Sequence, residues 1–112
     1  MDITERRMAD IVTLSLFGKL DTIAAKTFEE KILAQIESGD RRFIIDLAQV
    51  DYISSAGLRV FLLAAKRLSS ANGKIVLCSL KDLVKEVFDI AGFSSLFSVY
   101  SSLDDATNSL QA

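Results

Sequence analysis

The spacing of hydrophobic positions changes several times along the chain, and its first part predicts a β-hairpin. Residues 11–17 are mostly apolar and rich in β-branched side chains, and Gly18 follows them, which is typical of a strand. Ala9 and Asp10 precede this run as turn residues. We therefore expect residues 3–8 to form an edge strand that pairs with it.

The next part predicts a helix and then a buried strand. From Thr22 the apolar residues recur at helical spacing, with Asp21 or Thr22 as the N-cap and Gly39 as the stop. The residues of this stripe are Ala24, Phe28, Ile32 and Ile36. Residues 43–47 are almost continuously apolar, which predicts a central strand that ends in a short loop before Ser54.

The second half of the chain continues this alternation of helices and strands. A second helix is expected to begin at Ser54 or Ser55 and to end at Asn72 and Gly73. Its stripe consists of Leu58, Phe61, Leu62, Ala65 and Leu68. A strand over Lys74–Cys78 and a third helix follow, with a stripe of Leu80, Leu83, Val84, Val87 and Phe88 and Gly92 at its end. A short strand over residues 97–100 precedes a last helix with Ser102 and Asp105 as its capping box, and with Leu103, Ala106 and Leu110 on one face.

This order of elements predicts the fold class. Strands that alternate with helices form mostly parallel sheets with the helices packed on them. We therefore predict an α/β fold with a mixed, mostly parallel sheet and about four helices. Binding sites in such sheets lie beyond the carboxyl ends of the strands. Asp21, Asp46 and Ser55 are accordingly expected at one edge of the sheet.

Composition and charge narrow the class of protein. The chain has 112 residues, half of them apolar, which is enough for one domain over residues 1–112 but not for two. Its net charge of −2 and the lack of a long basic run disfavour nucleic-acid binding. The amino terminus has no apolar leader, and the longest apolar segment, residues 60–65, is too short to span a bilayer. We therefore expect no membrane association and a cytoplasmic location.

Several kinds of catalytic and metal site are disfavoured by the residues that the chain lacks. It has no histidine, and its one cysteine, Cys78, lies in an apolar run typical of a buried strand. The common hydrolytic triads and zinc sites are thereby excluded. The five glycines are scattered and form no phosphate-binding loop. We predict a protein that is not an enzyme and that binds neither a metal nor a cofactor.

The two adjacent serines, Ser54 and Ser55, are the most informative polar residues. A helix that begins there places hydroxyl groups beside unpaired backbone N–H groups, where the helix dipole favours negative charge. Such a serine is a good site for a phosphate. Serine is also among the commonest N-caps, and the local sequence alone favours that simpler interpretation.

Several short segments occur in an order and spacing that match a known family. They are Gly18-Lys19-Leu20-Asp21; Asp46-Leu47 with Val50 and Ile53; Ser54-Ser55-Ala56-Gly57-Leu58-Arg59; Lys74–Cys78; and residues 87–93. Together they resemble the STAS domain of bacterial anti-sigma factor antagonists. The resemblance covers nearly the whole chain, so it implies a single STAS-like domain.

The resemblance implies a function in partner switching. The unphosphorylated protein would bind a serine kinase that also acts as an anti-sigma factor, and would thereby release what that kinase holds. Phosphorylation by the kinase would end binding, and a phosphoserine phosphatase would reverse it. The implied acceptor is Ser55, with Ser54 as the second choice. The partner-binding residues would be Asp21, Asp46, Ser54, Ala56, Gly57, Leu58 and Arg59.

This sequence departs from the family pattern at three positions. The family commonly has Asp, Ser or Thr, and Gly where this chain has Ser54, Ala56 and Arg59 respectively. From the residues themselves, Leu58 also fits the core, Asp21 a helix cap and Arg59 either a phosphate partner or a solvated side chain.

The sequence alone is also compatible with two other kinds of function. One is a STAS-like accessory or scaffold subunit, in which the serine is never phosphorylated and the same surface only docks. The other is a module for a small ligand or nucleotide that uses the helix start as an anion site.

Overall fold

The structure is a computed structural model that describes residues 1–111, and its strands form one sheet in the order β1-β2-β3-β4-β5. The strands are β1 Asp2–Met8, β2 Ile11–Leu20, β3 Arg42–Ile53, β4 Lys74–Cys78 and β5 Ser98–Tyr100. β1 is antiparallel to β2, and the other pairs are parallel. The helices are α1 Thr22–Glu37, α2 Ser55–Ser70, α3 Asp82–Ile90 and α4 Leu103–Gln111, with a short 3-10 helix at Phe93–Ser95. The predicted α/β class and order of elements are confirmed.

The main core lies between the sheet and helices α1, α2 and α3. Phe61 of α2 occupies its centre, with ring centroids 5.2 Å from Phe28 of α1 and 5.4 Å from Phe88 of α3. All three rings are fully buried. Burial of each such side chain stabilises the fold by roughly 1.5–3 kcal/mol. The three helices are thereby fixed on one face of the sheet, while α4 packs on the other face.

Strands β2 and β3 are longer than the sequence indicates. β2 continues past Gly18 to Leu20, and β3 continues to Ile53, where the two strands still pair. The predicted ends at residues 17 and 47 are therefore wrong. Irregularities in the pairing near Gly18, which has a φ of +102°, shift the register and interrupt the alternation of apolar residues. Such bulges hide the second half of a strand from a search for simple periodicity.

Helix α3 differs from its predicted apolar stripe. Val84 and Phe88 are buried, whereas Leu83 is 71% exposed and Ile90 is 81% exposed. Val87 is half-buried and packs against the edge of the core, so only Leu83 and Ile90 of the apolar residues of α3 are exposed. The prediction that Leu83 faces the core is wrong.

Among residues 1–111, no helix is both long and apolar enough to cross a membrane. The same residues contain no group of three or more His, Cys, Asp or Glu side chains placed to hold a metal ion.

Candidate phosphoacceptor site

The carboxyl ends of β2 and β3 bring the starts of α1 and α2 together. Leu20 and Ile53 are paired neighbours at these ends. Asp21 then begins α1, and Ser54 begins α2. The loops after the two strands therefore share one edge of the sheet, as predicted for Asp21 and Ser55. Both helices also direct the positive ends of their dipoles toward this edge.

Ser54 is the N-cap of α2, and its hydroxyl group both accepts and donates a hydrogen bond. The Oγ atom accepts a hydrogen bond from the backbone N–H of Gly57 at 3.1 Å. The same hydroxyl donates to the carbonyl oxygen of Leu20 at 2.9 Å, and the Ser54 backbone N–H donates to that oxygen at 2.9 Å. Ser54 is half-buried. It therefore ties the end of β2 to the start of α2.

Ser55 is the first residue of α2 and is exposed. Within residues 1–111, no group forms a hydrogen bond with its hydroxyl. The hydroxyl lies in the first turn of a 16-residue helix, where backbone N–H groups without helical partners and the dipole favour a negative charge. A phosphate can therefore be added to Ser55 without breaking a bond that holds the fold together.

Gly57 and Leu58 lie inside the molecule rather than at its surface. A Cβ atom at Gly57 would come within 2.9 Å of the Leu20 side chain and 3.1 Å of the Ile53 side chain. Glycine at position 57 thus lets α2 approach the strand ends closely. Leu58 is buried in the main core, in agreement with the sequence pattern that favours a core role.

Helices α1 and α2 enclose a groove beside Ser55. Its volume is about 380 Å³. The residues that line it are Thr22, Ala25, Lys26, Glu29, Glu30, Ala56 and Arg59. The guanidinium of Arg59 donates to a carboxylate oxygen of Glu29 at 3.0 Å.

Asp21 is the N-cap of α1. Its carboxylate accepts a hydrogen bond from the backbone N–H of Ala24 at 2.9 Å. Of the two predicted caps, Asp21 and Thr22, the structure therefore has Asp21.

We define the acceptor surface as the four residues Asp21, Ser55, Ala56 and Arg59. Three of them are exposed, and Ala56 is half-buried. Ala56, where the family commonly has Ser or Thr, adds no hydroxyl group to the groove. Ser55 is therefore the one hydroxyl residue in the first turn of α2, while Thr22 of α1 also lines the groove.

Asp46 does not lie at the end of a strand, so that prediction is wrong. It is in the middle of β3, paired with Ser15 and Cys78, and seven residues before Ile53. At a rise of about 3.3 Å per residue it is roughly 20 Å from the acceptor surface. Its carboxylate accepts from the backbone N–H of Ala48 at 3.0 Å and from the Ser15 hydroxyl at 3.4 Å.

Asp46 lies beside the buried thiol of Cys78. It pairs in register with Cys78, which packs under α4 on the far face of the sheet. Burial, and to a smaller extent the nearby Asp46 carboxylate, raise the pKa of the Cys78 thiol to about 11. Cys78 is thus a buried, protonated strand residue, as predicted.

An apolar surface that the sequence pattern does not reveal lies between the end of β3 and α3. Tyr52 of β3 lies across a groove of about 350 Å³ from Leu83, Val87 and Ile90 of α3. Tyr52 is 48% exposed. The stripe at positions 83, 87 and 90 has helical spacing, but spacing alone does not distinguish it from a stripe that packs on the core.

Comparison with known proteins identifies the family. Residues 3–106 match the family profile described as the STAS domain. The chain belongs to the STAS domain family.

Two named relatives extend the comparison. BtrV of Bordetella bronchiseptica, provisionally named an anti-sigma factor antagonist, is 43% identical over 95% of this chain and 91% of its own length. The anti-sigma-B factor antagonist of Listeria monocytogenes is 30% identical over 85% of this chain and 83% of its own. Both relatives align with almost the whole STAS domain described here.

Solved structures of low sequence identity have the same fold. The Bacillus cell fate determinant SpoIIAA in its phosphorylated form has a TM-score of 0.79 and 20% identity, over 97% of this chain and 99% of that one. The unphosphorylated form of SpoIIAA has a TM-score of 0.88 and 20% identity, over 98% and 96% of the two chains.

Proposed function

We propose that this protein is an anti-sigma factor antagonist that works by partner switching. In its unphosphorylated form it binds a serine kinase that is also an anti-sigma factor, so that the target of that kinase is released. Phosphorylation of Ser55 ends this binding, and a phosphoserine phosphatase restores it. The protein is a cytoplasmic binding protein rather than an enzyme, and it needs no cofactor, membrane or nucleic acid for this role.

The observation that carries the proposal is the difference between the two serine hydroxyls. Ser54 Oγ accepts from Gly57 and donates to Leu20, whereas the exposed Ser55 hydroxyl has no such bonds. A phosphate on Ser54 would remove the bond to Leu20 at the junction of strand and helix. A phosphate on Ser55 would meet solvent and the helix dipole. Both relatives described above are named anti-sigma factor antagonists, one of them provisionally, and this supports the same function.

The charge of a phosphate is large enough for a switch. Phosphoserine carries about −1.5 to −2 charges at neutral pH. A partner carboxylate ~4 Å away would be repelled by roughly 4 kcal/mol per unit charge at an effective dielectric constant near 20. Even half of that energy weakens binding by more than about tenfold. The modification therefore acts on the partner without unfolding the domain.

The apolar groove of Tyr52, Leu83 and Ile90 supports a protein partner. Large exposed apolar side chains that lie together are typical of protein interaction sites. The β3 side of this groove ends at Ile53, directly before Ser54, so one partner can cover it together with the acceptor surface. Asp46, about 20 Å away along β3, is not included in the proposed contact.

The first prediction concerns the charge at position 55. We expect the wild-type protein and Ser55→Ala to bind the purified cognate kinase with similar affinity, whereas Ser55→Glu binds at least tenfold more weakly. Calorimetric titration measures the affinities. With ATP and magnesium, the wild-type protein should gain one phosphate, which peptide mapping should place on Ser55.

Ser70→Glu is the matched control for this experiment. It adds the same charge at the last residue of α2, roughly 22 Å from Ser55 along the helix. It should bind like the wild-type protein. Equal affinities of Ser55→Ala and Ser55→Glu would exclude the switch. A protein that no kinase modifies, but that copurifies with a transport or sensory complex, would instead support the scaffold function.

A further inference from the structure

Arg59 lies one helical turn after Ser55, and its side chain reaches from α2 to α1. Its guanidinium is 3.0 Å from the Glu29 carboxylate, and the side chain remains 67% exposed. Exposed ion pairs of this kind contribute only about 0–1 kcal/mol, so a stronger anion can replace one partner. The groove beside the acceptor serine thus contains a cation that is held by a weak ion pair.

We propose that Arg59 is a positioning residue for the phosphate of Ser55 and exchanges Glu29 for that phosphate on modification. The inference rests on the proposed function only in assuming that Ser55 carries the phosphate. Residues four apart on a helix have Cβ atoms about 5–6 Å apart, so Arg59 can reach position 55. A phosphate offers three acceptor oxygens and more charge than a carboxylate, and it can bind a guanidinium through two parallel hydrogen bonds.

The exchange changes the charge of two helices. In the unmodified protein, Arg59 neutralises Glu29 on α1. After the exchange, Arg59 offsets part of the phosphate charge, and Glu29 becomes an unpaired carboxylate. The negative area on the partner-facing side then extends from α2 to α1. Lys26 is the other cation that lines the groove, but it belongs to α1 and is not four residues from Ser55.

The test uses protein with phosphoserine inserted at position 55 during translation. Phosphorus NMR follows the titration of the phosphate, whose second pKa is about 6 when it has no partner. An adjacent arginine should lower that pKa by roughly half a unit to one unit at this exposed site. In Arg59→Gln the pKa should return toward about 6. The Nε–H signal of Arg59 should shift on phosphorylation of the otherwise unmodified chain.

Two further variants make the test specific. Lys26→Gln removes the same charge from the same groove and should change the phosphate pKa less than Arg59→Gln does. Glu29→Gln removes the competing carboxylate, and its effect on the pKa should shrink when Arg59 is also replaced, because the two residues act through one exchange. A phosphate pKa that is unchanged in Arg59→Gln, or changed equally in Lys26→Gln, would overturn the inference.

These outcomes are independent of the kinase, because translation supplies the phosphate. A cognate kinase that does not modify Ser55 would refute the proposed function. It would leave the measured contact between Arg59 and the phosphate unaffected.

Discussion

Ser54 and Ser55 are neighbours in the chain, but their hydroxyl groups belong to two different regions of the molecule. The first region is the junction, which we define as Leu20, Ile53, Ser54 and Gly57. There the Ser54 hydroxyl bonds both the end of β2 and the first turn of α2. The second region is the acceptor surface, where Ser55 is exposed and its hydroxyl has no partner among residues 1–111.

The difference explains why the proposed phosphate on Ser55 would leave the fold intact. Ser54 is the N-cap and has an extended backbone, with φ −89° and ψ 167°, whereas Ser55 is the first helical residue. The backbone therefore changes direction between them, and the two adjacent side chains meet different surroundings. The junction is stabilised by close packing around Gly57 and by capping, and neither depends on Ser55. The stability of the junction and the proposed switch would therefore depend on two adjacent residues.

The largest effect on stability is expected from Phe61→Ala on the core face of α2. Phe61 is fully buried and contacts the rings of Phe28 and Phe88. Removal of such a ring typically costs about 3–5 kcal/mol. Urea unfolding should therefore show a large loss of unfolding free energy. Binding measured below the unfolding transition should change only in proportion to the unfolded fraction.

Ile23→Ala is the control for that experiment, because Ile23 is 81% exposed on α1. It should change the free energy of unfolding by less than about 0.5 kcal/mol. If Phe61→Ala lost as little, the aromatic cluster would not hold α2 on the sheet, and the contrast between its two faces would fail.

A smaller loss is expected from Ser54→Ala at the junction. The variant loses the cap to Gly57 and the hydroxyl bond to Leu20. Loss of a serine N-cap costs about 0.5–2 kcal/mol. The Leu20 carbonyl keeps its bond from the Ser54 backbone N–H, which limits the loss. Thermal and urea unfolding measure this effect, and the folded variant should still be phosphorylated on Ser55.

Ser54→Asp sharpens the same comparison. Aspartate is an equally good N-cap and is the residue that the family commonly has at this position. It should recover the cap to Gly57, although it cannot donate to Leu20. A variant as unstable as Ser54→Ala would mean that the bond to Leu20, and not the cap, dominates the role of Ser54.

The sequence predicts the core of the fold, but it does not predict which serine caps α2. Phe28, Phe61 and Phe88 each belong to an apolar stripe with helical spacing in its own segment of the chain. Such spacing is a local property, so the core and the order of elements follow from it. The family pattern likewise points to Ser55, because the resemblance is carried by contiguous residues. Both serines could cap α2 on local sequence, and a contact that the sequence does not show holds Ser54 in place: its hydroxyl also donates to the carbonyl oxygen of Leu20, 34 residues earlier.

Two errors have the same kind of cause. Asp46 was expected at a strand end because a polar residue follows an apolar run there. In the structure, the parallel pairing of β2 and β3 continues to Ile53 through irregularities in register. Leu83 was expected in the core because its spacing is helical, but spacing does not reveal how many faces of α3 the sheet covers. Both outcomes depend on long-range contacts that one sequence does not specify.

The smallest effect on stability is expected from Ser55→Ala, and it is the sharpest test of the comparison. The Ser55 hydroxyl has no hydrogen bond to lose within residues 1–111, so the free energy of unfolding should change by less than about 0.5 kcal/mol. Ser55→Glu should be equally stable or gain a few tenths of a kcal/mol, roughly, because its charge lies at a helix N-terminus. Urea midpoints with unchanged slopes measure both values. If Ser55→Ala instead cost as much as Ser54→Ala, both serines would belong to the junction, and a phosphate on Ser55 would act by disturbing the fold rather than by repelling a partner.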